Sequence, residues 1–550
     1  MTMPKVQRSA LPLRLRMLAV AGGLVLAAAA IGGQLVQLGL SGSGSMRSAS
    51  AEPIARTFSR PDIVDRRGRL IATDVPANSL FADPAIVLDR DEVAERLADT
   101  LPDIDAEELR RQLADKSRRF VWIRRGLAPV EAQRVHDLGL PGLAFRREAK
   151  RAYPSGAWLG HIVGQVNPDN KGIAGIERYI DETGEVEAVQ GPVATTLAPV
   201  RLSIDLGVQH AVIDELRAAV DRYRATGASG LVMDAATGEI LAGASWPTVD
   251  PNLPGALLDA SAPDRLQGGV YELGSIFKAL TIAMALDDGL VTLDTPYDVT
   301  EPLIIGRHQI HDLHPAGRPL TVREIFIHSS NVGSAHIALQ AGTSRQLVFH
   351  ARMGLTEPIR TEAGPVAPPL LPPRWGEVET ATIAYGHGFA VAPLQIAAAM
   401  AALVNGGQRV SPTYIAREPA NRTGAAGDRV LSLKTSLAIR ELMRLNVTMP
   451  HGTGKRAEVA GYRLGGKTGT AEIPGKGGYQ EKSVISSFVG ALPMEEPRYV
   501  LLVTLFEPQP ADGTKGGITA GLNAAPLAGA IVGRIAPILG VLPRRIEPVR

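Results

Sequence analysis

The chain has 550 residues, 45% of them hydrophobic and 21% charged, with a formal net charge of +2 at pH 7. This length allows two or three domains with at least one large core, and the nearly balanced charge favours no nucleic-acid partner. The absence of cysteine excludes disulfides, thiolate nucleophiles and cysteine-ligated zinc.

The N-terminal segment predicts a membrane anchor. Residues 1–16 carry only positive charge, and residues 17–40 form an uncharged, mainly apolar run. A bilayer-spanning helix needs about 20 such residues. The positive-inside rule then keeps residues 1–16 in the cytoplasm and exports the rest. A cleaved signal peptide is the alternative, because Ala28–Ala30 could be a cleavage site, but the apolar run continues to Leu40 and favours a retained anchor.

The next two regions predict a linker and a first folded domain. Residues 41–59 begin with SGSGSMRSASAE, a composition typical of a flexible linker. From about residue 60 to residue 200, β-like runs such as SLFADPAIVL alternate with charged helical runs such as EVAERLADTL and AEELRRQLADK. We expect an α+β segment without an obvious catalytic cluster.

Residues 201–540 predict a second α+β domain. Asp205 is placed to cap an amphipathic helix, and GLVMDAATGEILAGAS (230–245) indicates a hairpin. A helix-rich middle section, 252–449, is followed by three strand candidates: YRLGGKTGTAEI, SVISSFVGAL and RYVLLVTLFE. A closing apolar helix, APLAGAIVGRIAPIL, ends the domain. We therefore predict an antiparallel sheet that is split by a helical insert and flanked by terminal helices.

The stretch GYRLGGKTGTAEIPGKGG (461–478) contains the phosphate-loop pattern G-x-x-x-x-G-K-[ST]. A phosphate loop also needs a helix that begins at the lysine and threonine, because the N–H groups of that helix hold the phosphates. Here glycines and a proline follow instead, so no helix can begin at Thr468. We therefore reject nucleotide binding for Lys467.

An edge strand beside a cleft is the second interpretation of this stretch. Lys467 and two threonine hydroxyls would there meet an anionic substrate that bears a carbonyl group. Gly469 would let a ligand approach the strand closely. A plain strand followed by a glycine-rich hairpin is the alternative.

The segment YELGSIFKALTIAMALDDG places Ser275 near the start of a predicted helix that ends near Gly289. Lys278 follows one turn later on the same face. A serine nucleophile needs an adjacent base, and a lysine is a base only when its pKa falls from about 10.4 towards about 7–8. Burial and a second cation nearby are the usual means. The alternative is a helix-capping serine followed by an exposed lysine.

A third motif, HSSNVGSAHIAL, places Ser329, Ser330 and Asn331 before an apolar helical run. In a cleft, Ser329 could relay a proton and the amide of Asn331 could hold a substrate. Helix capping is again the alternative.

Each motif alone is a weak signal, but S-x-x-K, S-x-N and K-T-G in this order form the set found in penicillin-binding proteins and class A β-lactamases. The chain resembles a class B penicillin-binding protein, most closely the division-specific FtsI type, from the anchor nearly to the C-terminus. The resemblance is carried by RPDIVDRRGRLIA, YPSGAWLGHIVGQVNPDNKGIAGIERYID, VMDAATGEILAGASWPTVDPN, AYGHGFAVAPLQIA and HGTGKRAEVAGYRLGGKTGTA. The chain departs from the family at Leu273 and Ile276, where proline and threonine are more common, but neither departure touches the chemistry.

The resemblance implies a mixed α/β pedestal domain of the dimerisation type and a β-lactamase-like transpeptidase domain. The substrate would be a peptidoglycan stem peptide that ends in D-alanyl-D-alanine. Ser275 would attack it, Lys278 would take the proton, Ser329 would relay a proton to the leaving group, and the oxyanion would lie between the N–H groups of Ser275 and Thr470. The substrate-binding residues would be Asn331, Lys467, Thr468, Gly469 and Thr470.

The same resemblance implies the partners and the location. We expect stem peptides and β-lactams as ligands, the lipid bilayer around the N-terminal helix, and an inner-membrane location at the division septum. No glycan-polymerising module is recognisable, so a membrane glycosyltransferase of the SEDS type and other division proteins would be partners. Gln34 and Gln37 could face that partner, although water at a helix end explains them nearly as well. No cofactor and no nucleic acid are expected.

A histidine-rich segment, GRHQIHDLHPAG, raises the question of a metal. Its His308, His311, Asp312 and His314 have a spacing that could suit zinc. The flanking glycines and proline indicate a solvated loop instead, and we predict no metal site.

Several functional alternatives stay open at the level of sequence. An elongation-specific class B transpeptidase, a β-lactam sensor or β-lactamase, and a non-catalytic division scaffold would share parts of the pattern. The large pedestal is foreign to a lactamase, and the intact set of motifs argues against a scaffold. The predicted regions are a cytoplasmic tail (1–16), anchor (17–40), linker (41–59), pedestal (60–200), transpeptidase domain (201–540) and C-terminal tail (541–550).

Overall fold

The computed structural model divides the chain into two compact units, Met1–Thr57 and Phe58–Arg550. The described residues are 22–23, 25–30, 32–33, 60–184, 197–418, 427–475, 478–511 and 517–544, with side chains left undescribed at 474–475 and 478–482. The predicted anchor lies mostly outside them, and so do the linker and most of the C-terminal tail. The described parts of the anchor are helical. None of the described helices is both long and apolar enough to span a membrane.

The pedestal is an α+β domain, as its alternating pattern predicts. Its elements are β1 (Ile63–Val64), β2 (Leu70–Ala82), α1 (Arg90–Thr100), α2 (Ala106–Leu113), β3 (Val121–Leu127), α3 (Pro129–Asp137), β4 (Leu143–Ala152), α4 (Gly160–Val163), β5 (Gln165–Val166), β6 (Gly172–Ala174), α5 (Gly175–Glu182) and β7 (Val200–Arg201). The main sheet has the order β3-β2-β1-β7, and β4 also pairs with β2. Asp89 and Asp105 cap α1 and α2 by accepting hydrogen bonds from N–H groups of the first turn. The predicted run SLFADPAIVL is a strand only as far as Ala82.

The larger domain contains the remaining elements. They are α6 (Leu206–Tyr223), β8 (Gly227–Asp234), β9 (Ile240–Trp246), α7 (Phe277–Asp287), β10 (Pro296–Tyr297), β11 (Leu303–Ile305), β12 (His308–Ile310), β13 (Leu320–Thr321), α8 (Val322–His328), α9 (Asn331–Ala341), α10 (Thr343–Arg352), β14 (Arg360–Thr361), β15 (Gly364–Pro365), α11 (Glu377–Ile383), α12 (Pro393–Val404), α13 (Leu433–Thr448), β16 (Gly465–Gly475), β17 (Gly478–Leu492), β18 (Tyr499–Phe506) and α14 (Ala524–Ile538). Asp205 caps α6 as predicted, because its side chain accepts a hydrogen bond from the N–H of Gly207.

The central sheet of this domain confirms the predicted split arrangement. Its five strands are antiparallel and have the order β16-β17-β18-β8-β9, so the hairpin β8–β9 and the late strands meet through β18. Alternate residues of β18 serve different cores: Leu501 and Val503 pack with the terminal helices α6 and α14, whereas Val500 and Leu502 pack with the helical insert. This alternation follows from the two-residue period of a strand.

The lysine and the threonine of the phosphate-loop pattern lie at the edge of this sheet. Thr468 lies inside β16, which is the outermost strand, and no helix begins there. The edge-strand prediction is confirmed, and the nucleotide interpretation is excluded on the geometry that it requires. The histidine-rich segment differs from the predicted loop in one part, since His308–Ile310 forms the second strand of a short hairpin with β11.

Candidate active site

A cavity of about 490 Å³ lies where the edge strand β16, the start of α7 and the loop between α8 and α9 meet. Five of the predicted site residues line it: Ser275, Ser329, Asn331, Thr468 and Thr470. Lys278 and Lys467 are fully buried beside it. Residues that are up to almost 200 positions apart in the chain are therefore brought to one place.

Ser275 lies in a single 3-10 turn, Gly274–Ile276, that leads directly into α7. It is half-buried and faces the cavity. Gly274 has a φ of +56°, and a Cβ on it would lie 2.5 Å from the carbonyl oxygen of Thr470. Only glycine fits this approach of the turn that carries Ser275 to β16.

Gly469, on β16, allows the same close approach between the strand and the turn that carries Ser275. A Cβ on Gly469 would lie 2.1 Å from the carbonyl oxygen of Leu273. We expected the missing side chain to admit a ligand, but the nearest neighbour is the backbone of Leu273, directly before the turn that carries Ser275. Gly469 thus positions β16 against the turn that carries Ser275.

Lys278 points away from solvent and reaches the loop between α8 and α9. When protonated, its Nζ donates hydrogen bonds to the Ser329 Oγ at 3.1 Å, to the Asn331 Oδ1 at 2.7 Å and to the Ser329 carbonyl oxygen. A neutral amine has two N–H groups and can keep two of these three bonds. This burial contradicts the alternative of a capping serine followed by an exposed lysine. Among the described residues, no hydrogen bond joins Lys278 to the hydroxyl of Ser275, although the two residues are one turn apart.

Lys467 approaches the same serine from the opposite side. Its Nζ donates to the Ser329 Oγ at 2.9 Å and to the Thr468 carbonyl oxygen at 3.3 Å, and it lies 5.8 Å from the centre of the Phe326 ring. The hydroxyl of Ser329 therefore stands between two amines. Both amines contact only neutral oxygens among the residues that the structure describes.

This arrangement lowers the affinity of both lysines for protons. Burial lowers the pKa of Lys467 to about 7. Burial, followed by the charge of Lys467, lowers the pKa of Lys278 well below its ordinary value, while Asp312 opposes the shift. Removal from water and a nearby like charge both disfavour the protonated amine. The site can thus hold a neutral lysine near neutral pH, which general-base chemistry requires.

Ser329 holds an unusual backbone conformation. It ends α8 with φ 61° and ψ 43°, in the left-handed region that non-glycine residues seldom adopt, and its N–H bonds to the Ile325 carbonyl oxygen. Such conformations cost about 1–3 kcal/mol and cluster at functional sites. Here the conformation turns the chain so that the hydroxyl of Ser329 lies between the two lysines.

The neighbouring residues are held by the carboxylate of Asp312, for which the sequence suggested either a zinc ligand or part of a solvated loop. Asp312 accepts hydrogen bonds from the Ser330 Oγ at 2.6 Å, from the N–H of Val332 at 3.0 Å and from the N–H of Asn331. Ser330 also caps α9. Asp312 therefore fixes the S-x-N loop, and no cluster of histidine and acidic residues suited to a metal ion occurs in the described part of the chain.

The threonines of β16 are anchored by residues that the motif analysis missed. The Thr470 Oγ1 accepts from the N–H of Ala520 at 3.0 Å, and the Thr468 Oγ1 donates to the Thr453 Oγ1 at 2.6 Å. Thr453 in turn bonds to Asn446, a fully buried residue of α13. Thr453 belongs to the family-like segment HGTGKRA, which was the available signal.

Two further cavity residues come from the segment AYGHG. Tyr385 and His387 line the cavity, and Gly386 between them has a φ of +88°. A Cβ on Gly386 would lie 2.1 Å from the carbonyl oxygen of Gly274. Burial, and to a smaller extent Lys278, lowers the pKa of His387 to about 4. His387 is therefore neutral at physiological pH.

Comparisons with known proteins agree with this geometry. The description "Penicillin binding protein transpeptidase domain" matches residues 228–531, and "Penicillin-binding Protein dimerisation domain" matches residues 57–183. The chain is 39% identical to "Probable peptidoglycan D,D-transpeptidase FtsI" of Caulobacter vibrioides, over 88% of this chain and 82% of the relative. It is 30% identical to "Peptidoglycan D,D-transpeptidase FtsI" of Escherichia coli K12, over 91% of this chain and 87% of the relative.

A solved structure provides the corresponding match in three dimensions. The transpeptidase domain of penicillin-binding protein 3 from Burkholderia pseudomallei is 32% identical and superposes with a TM-score of 0.56, covering 63% of this chain and 98% of that one. The chain therefore belongs to the penicillin-binding protein transpeptidase family. With its dimerisation domain and its FtsI relatives, it is a class B penicillin-binding protein of the FtsI type.

Proposed function

We propose that this protein is a division-specific peptidoglycan D,D-transpeptidase that cross-links stem peptides through a serine acyl-enzyme and is a target of β-lactams. The observation that carries the proposal is the pair of buried amines, Lys278 and Lys467, on either side of the Ser329 hydroxyl in the cavity that holds Ser275. A neutral lysine beside a serine is the arrangement that a serine acyl transfer needs.

Acylation begins with the attack of Ser275 Oγ on the carbonyl of the penultimate D-alanine. The hydroxyl proton passes to the neutral amine of Lys278. Catalytic hydrogen bonds of this kind often tighten only with substrate bound, which fits the absence of a direct Ser275–Lys278 bond. The oxyanion is held by the N–H groups of Ser275 and Thr470, each worth about 3–4 kcal/mol in the barrier.

The leaving group departs when the bond from that carbonyl to terminal D-alanine breaks. Ser329, which contacts both lysines, relays a proton to the departing amine. Asn331 holds the peptide backbone, while Lys467, Thr468 and Thr470 bind the terminal carboxylate. An amine of a neighbouring stem then attacks the acyl-enzyme, forms the cross-link and returns Ser275 to its free hydroxyl.

The surroundings of the enzyme are part of the proposal. Residues 17–40 anchor it in the inner membrane, residues 1–16 stay in the cytoplasm, and the remainder is periplasmic at the septum. The charge-free apolar run after a purely basic segment supports this topology. A SEDS-type glycosyltransferase and other division proteins are its partners, and residues 60–200 and 201–540 are its pedestal and transpeptidase domains.

Mass spectrometry of the full chain after treatment with a penicillin tests this proposal. We expect one covalent adduct on Ser275 that persists for many minutes, and no adduct in Ser275→Ala. A stable adduct on another residue would overturn the mechanism. Rapid release of the hydrolysed drug would instead identify a β-lactamase.

A further inference from the structure

The segment HGTGKRA forms one wall of the cavity, and the proposed chemistry leaves its charged residues unused. Lys455 and Arg456 line the cavity beside Thr453. Both are exposed, and neither side chain forms a hydrogen bond or ion pair with any residue that the structure describes. Glu458, the carboxylate that follows them in the chain, pairs with Arg444 at 2.8 Å. Two cations that have no partner among the described residues therefore border the proposed site of acyl transfer.

Hydrogen bonds hold this wall of the cavity in place. A buried amide, Asn446, accepts hydrogen bonds from the N–H of Thr453 at 3.1 Å and from its hydroxyl at 3.0 Å, and donates to the Gly466 carbonyl oxygen at 2.8 Å. A Cβ on Gly452 would lie 2.1 Å from the carbonyl oxygen of Asn446. With the bond between the hydroxyls of Thr453 and Thr468, this amide fixes the turn to β16.

The charge balance of the cavity shows what these cations can do. Asp312 is the one carboxylate among the lining residues, and its oxygens already accept three hydrogen bonds from the S-x-N loop. The buried amines of Lys278 and Lys467 are both shifted towards the neutral form. With a pKa of about 7, Lys467 carries only part of a positive charge near neutral pH, so a carboxylate bound beside it leaves charge to be balanced. The cationic side chains of Lys455 and Arg456, which line the same cavity, can supply the rest.

We propose that Lys455 and Arg456 form a carboxylate-binding arm that, together with Thr470, holds the terminal carboxylate of the donor peptide. This inference rests on the proposed transpeptidase function and adds specificity-determining residues to it. The arm lies next to the β16 threonines, where that carboxylate is bound, because Thr453 connects the two. It lets one lysine of the buried pair remain neutral as a base while the charge of the substrate is still balanced.

The rate at which a penicillin acylates Ser275 tests the arm, with the same penicillin as its methyl ester for comparison. The free acid keeps the carboxylate and the ester lacks the charge. In the double variant Lys455→Ala/Arg456→Ala, we expect acylation by the free acid to slow about 5- to 10-fold, because exposed ion pairs and charged hydrogen bonds are modest in water. Acylation by the ester should keep the wild-type rate.

Matched variants separate charge from folding. The exchange Lys455→Arg/Arg456→Lys keeps both charges and should keep the preference for the free acid. Lys434→Ala removes an exposed cation on α13, away from the cavity lining, and should change neither rate. Added salt should slow acylation of the wild type by the free acid but leave the double variant unaffected. All variants should unfold at the wild-type denaturant midpoint.

Two outcomes contradict the inference in different ways. An unchanged ratio of acid to ester rates in the double variant, with Ser275 still acylated, overturns the arm alone. Failure of the wild type to form an adduct at Ser275 with either compound overturns the proposed function and the arm with it.

Discussion

The pedestal buries the arginines Arg60 and Arg151, whereas the catalytic cavity buries the lysines Lys278 and Lys467. In the pedestal, Glu177 accepts the Nε–H of Arg60 at 2.8 Å and that of Arg151 at 2.7 Å. In the cavity, the described contacts of both amines are with neutral oxygens.

The pKa values of the buried cations shift in opposite directions in the two regions. Burial alone would lower the pKa of Arg151, but Glu177 and Asp74 outweigh it and raise that pKa. Burial of Lys278 is reinforced by Lys467, so its pKa falls. The pKa of a buried cation therefore rises where carboxylates contact it, as at Arg151, and falls where its contacts are neutral oxygens, as at Lys278.

A permanent positive charge at position 278 should slow acylation of Ser275 severely. Lys278→Arg keeps hydrogen-bond donors at this position but stays positively charged, because a guanidinium group cannot give up its proton. We expect acylation of Ser275 by a penicillin to slow by about 10³-fold, within the range of general-base effects. The adduct is followed by mass spectrometry against time. Lys434→Arg, on an exposed lysine, is the control, and a Lys278→Arg variant with the wild-type rate would show that no base is needed.

Removing the buried carboxylate of Glu177 from the pedestal should destabilise the protein. Glu177→Gln leaves two buried guanidinium groups without their shared counter-charge, which should lower the free energy of unfolding by about 3–5 kcal/mol. Denaturant unfolding of the full chain measures this loss. Glu182→Gln, which breaks an exposed pair with Arg178, should cost about 0–1 kcal/mol. An equal effect of the two substitutions would refute the architectural role of Glu177.

The pH dependence of stability tests the lowered pKa of Lys467. The pKa of Lys467 is about 7 in the folded protein and 10.5 in an exposed lysine. Between these values the unfolded chain binds more protons, so the contribution of Lys467 makes the folded state more stable as the pH rises from about 7 to about 10.5. Lys467→Met should lack this part of the pH dependence. Parallel denaturant midpoints for wild type and variant from pH 7 to pH 10 would contradict the depressed pKa.

The smallest expected effect concerns a serine that borders the catalytic set without belonging to it. Ser330 caps α9 and donates to Asp312. Ser330→Ala should cost about 1 kcal/mol of stability, the usual value of a lost N-cap, and should slow acylation of Ser275 less than tenfold. Denaturant unfolding and the adduct time course measure the two quantities. Complete loss of acylation in a folded Ser330→Ala variant would place that hydroxyl in the chemistry instead.

Some predictions from the residue pattern were confirmed because they depend on neighbours along the chain. The cap at Asp205, the hairpin β8–β9 and the strand character of 465–475 all follow from local signals. Glycines and a proline after Thr468 forbid a helix whatever the rest of the molecule does. The S-x-x-K, S-x-N and K-T-G set also indicated which distant segments would meet.

Other features were decided by contacts across the fold. Burial lowers the pKa of Lys278, and burial depends on packing of the segments around α7, which no local pattern contains. Asp312 looked like part of a solvated loop until the hairpin β11–β12 carried it to the start of α9. Gly469 was expected to face a ligand and instead meets Leu273.

By itself, the sequence determined the capped first helix, the hairpin, the three late strands and the closing helix of the larger domain, together with the order of the S-x-x-K, S-x-N and K-T-G motifs and the family to which the chain belongs. Only the tertiary structure decided which hydroxyl stands between the two amines, which carboxylate holds the S-x-N loop and which cations line the cavity. The physical reason is the distance along the chain over which each effect acts. Turns, caps and periodicity depend on residues that are close together in the sequence. Desolvation and charge pairing depend on atoms that the chain brings together from far apart.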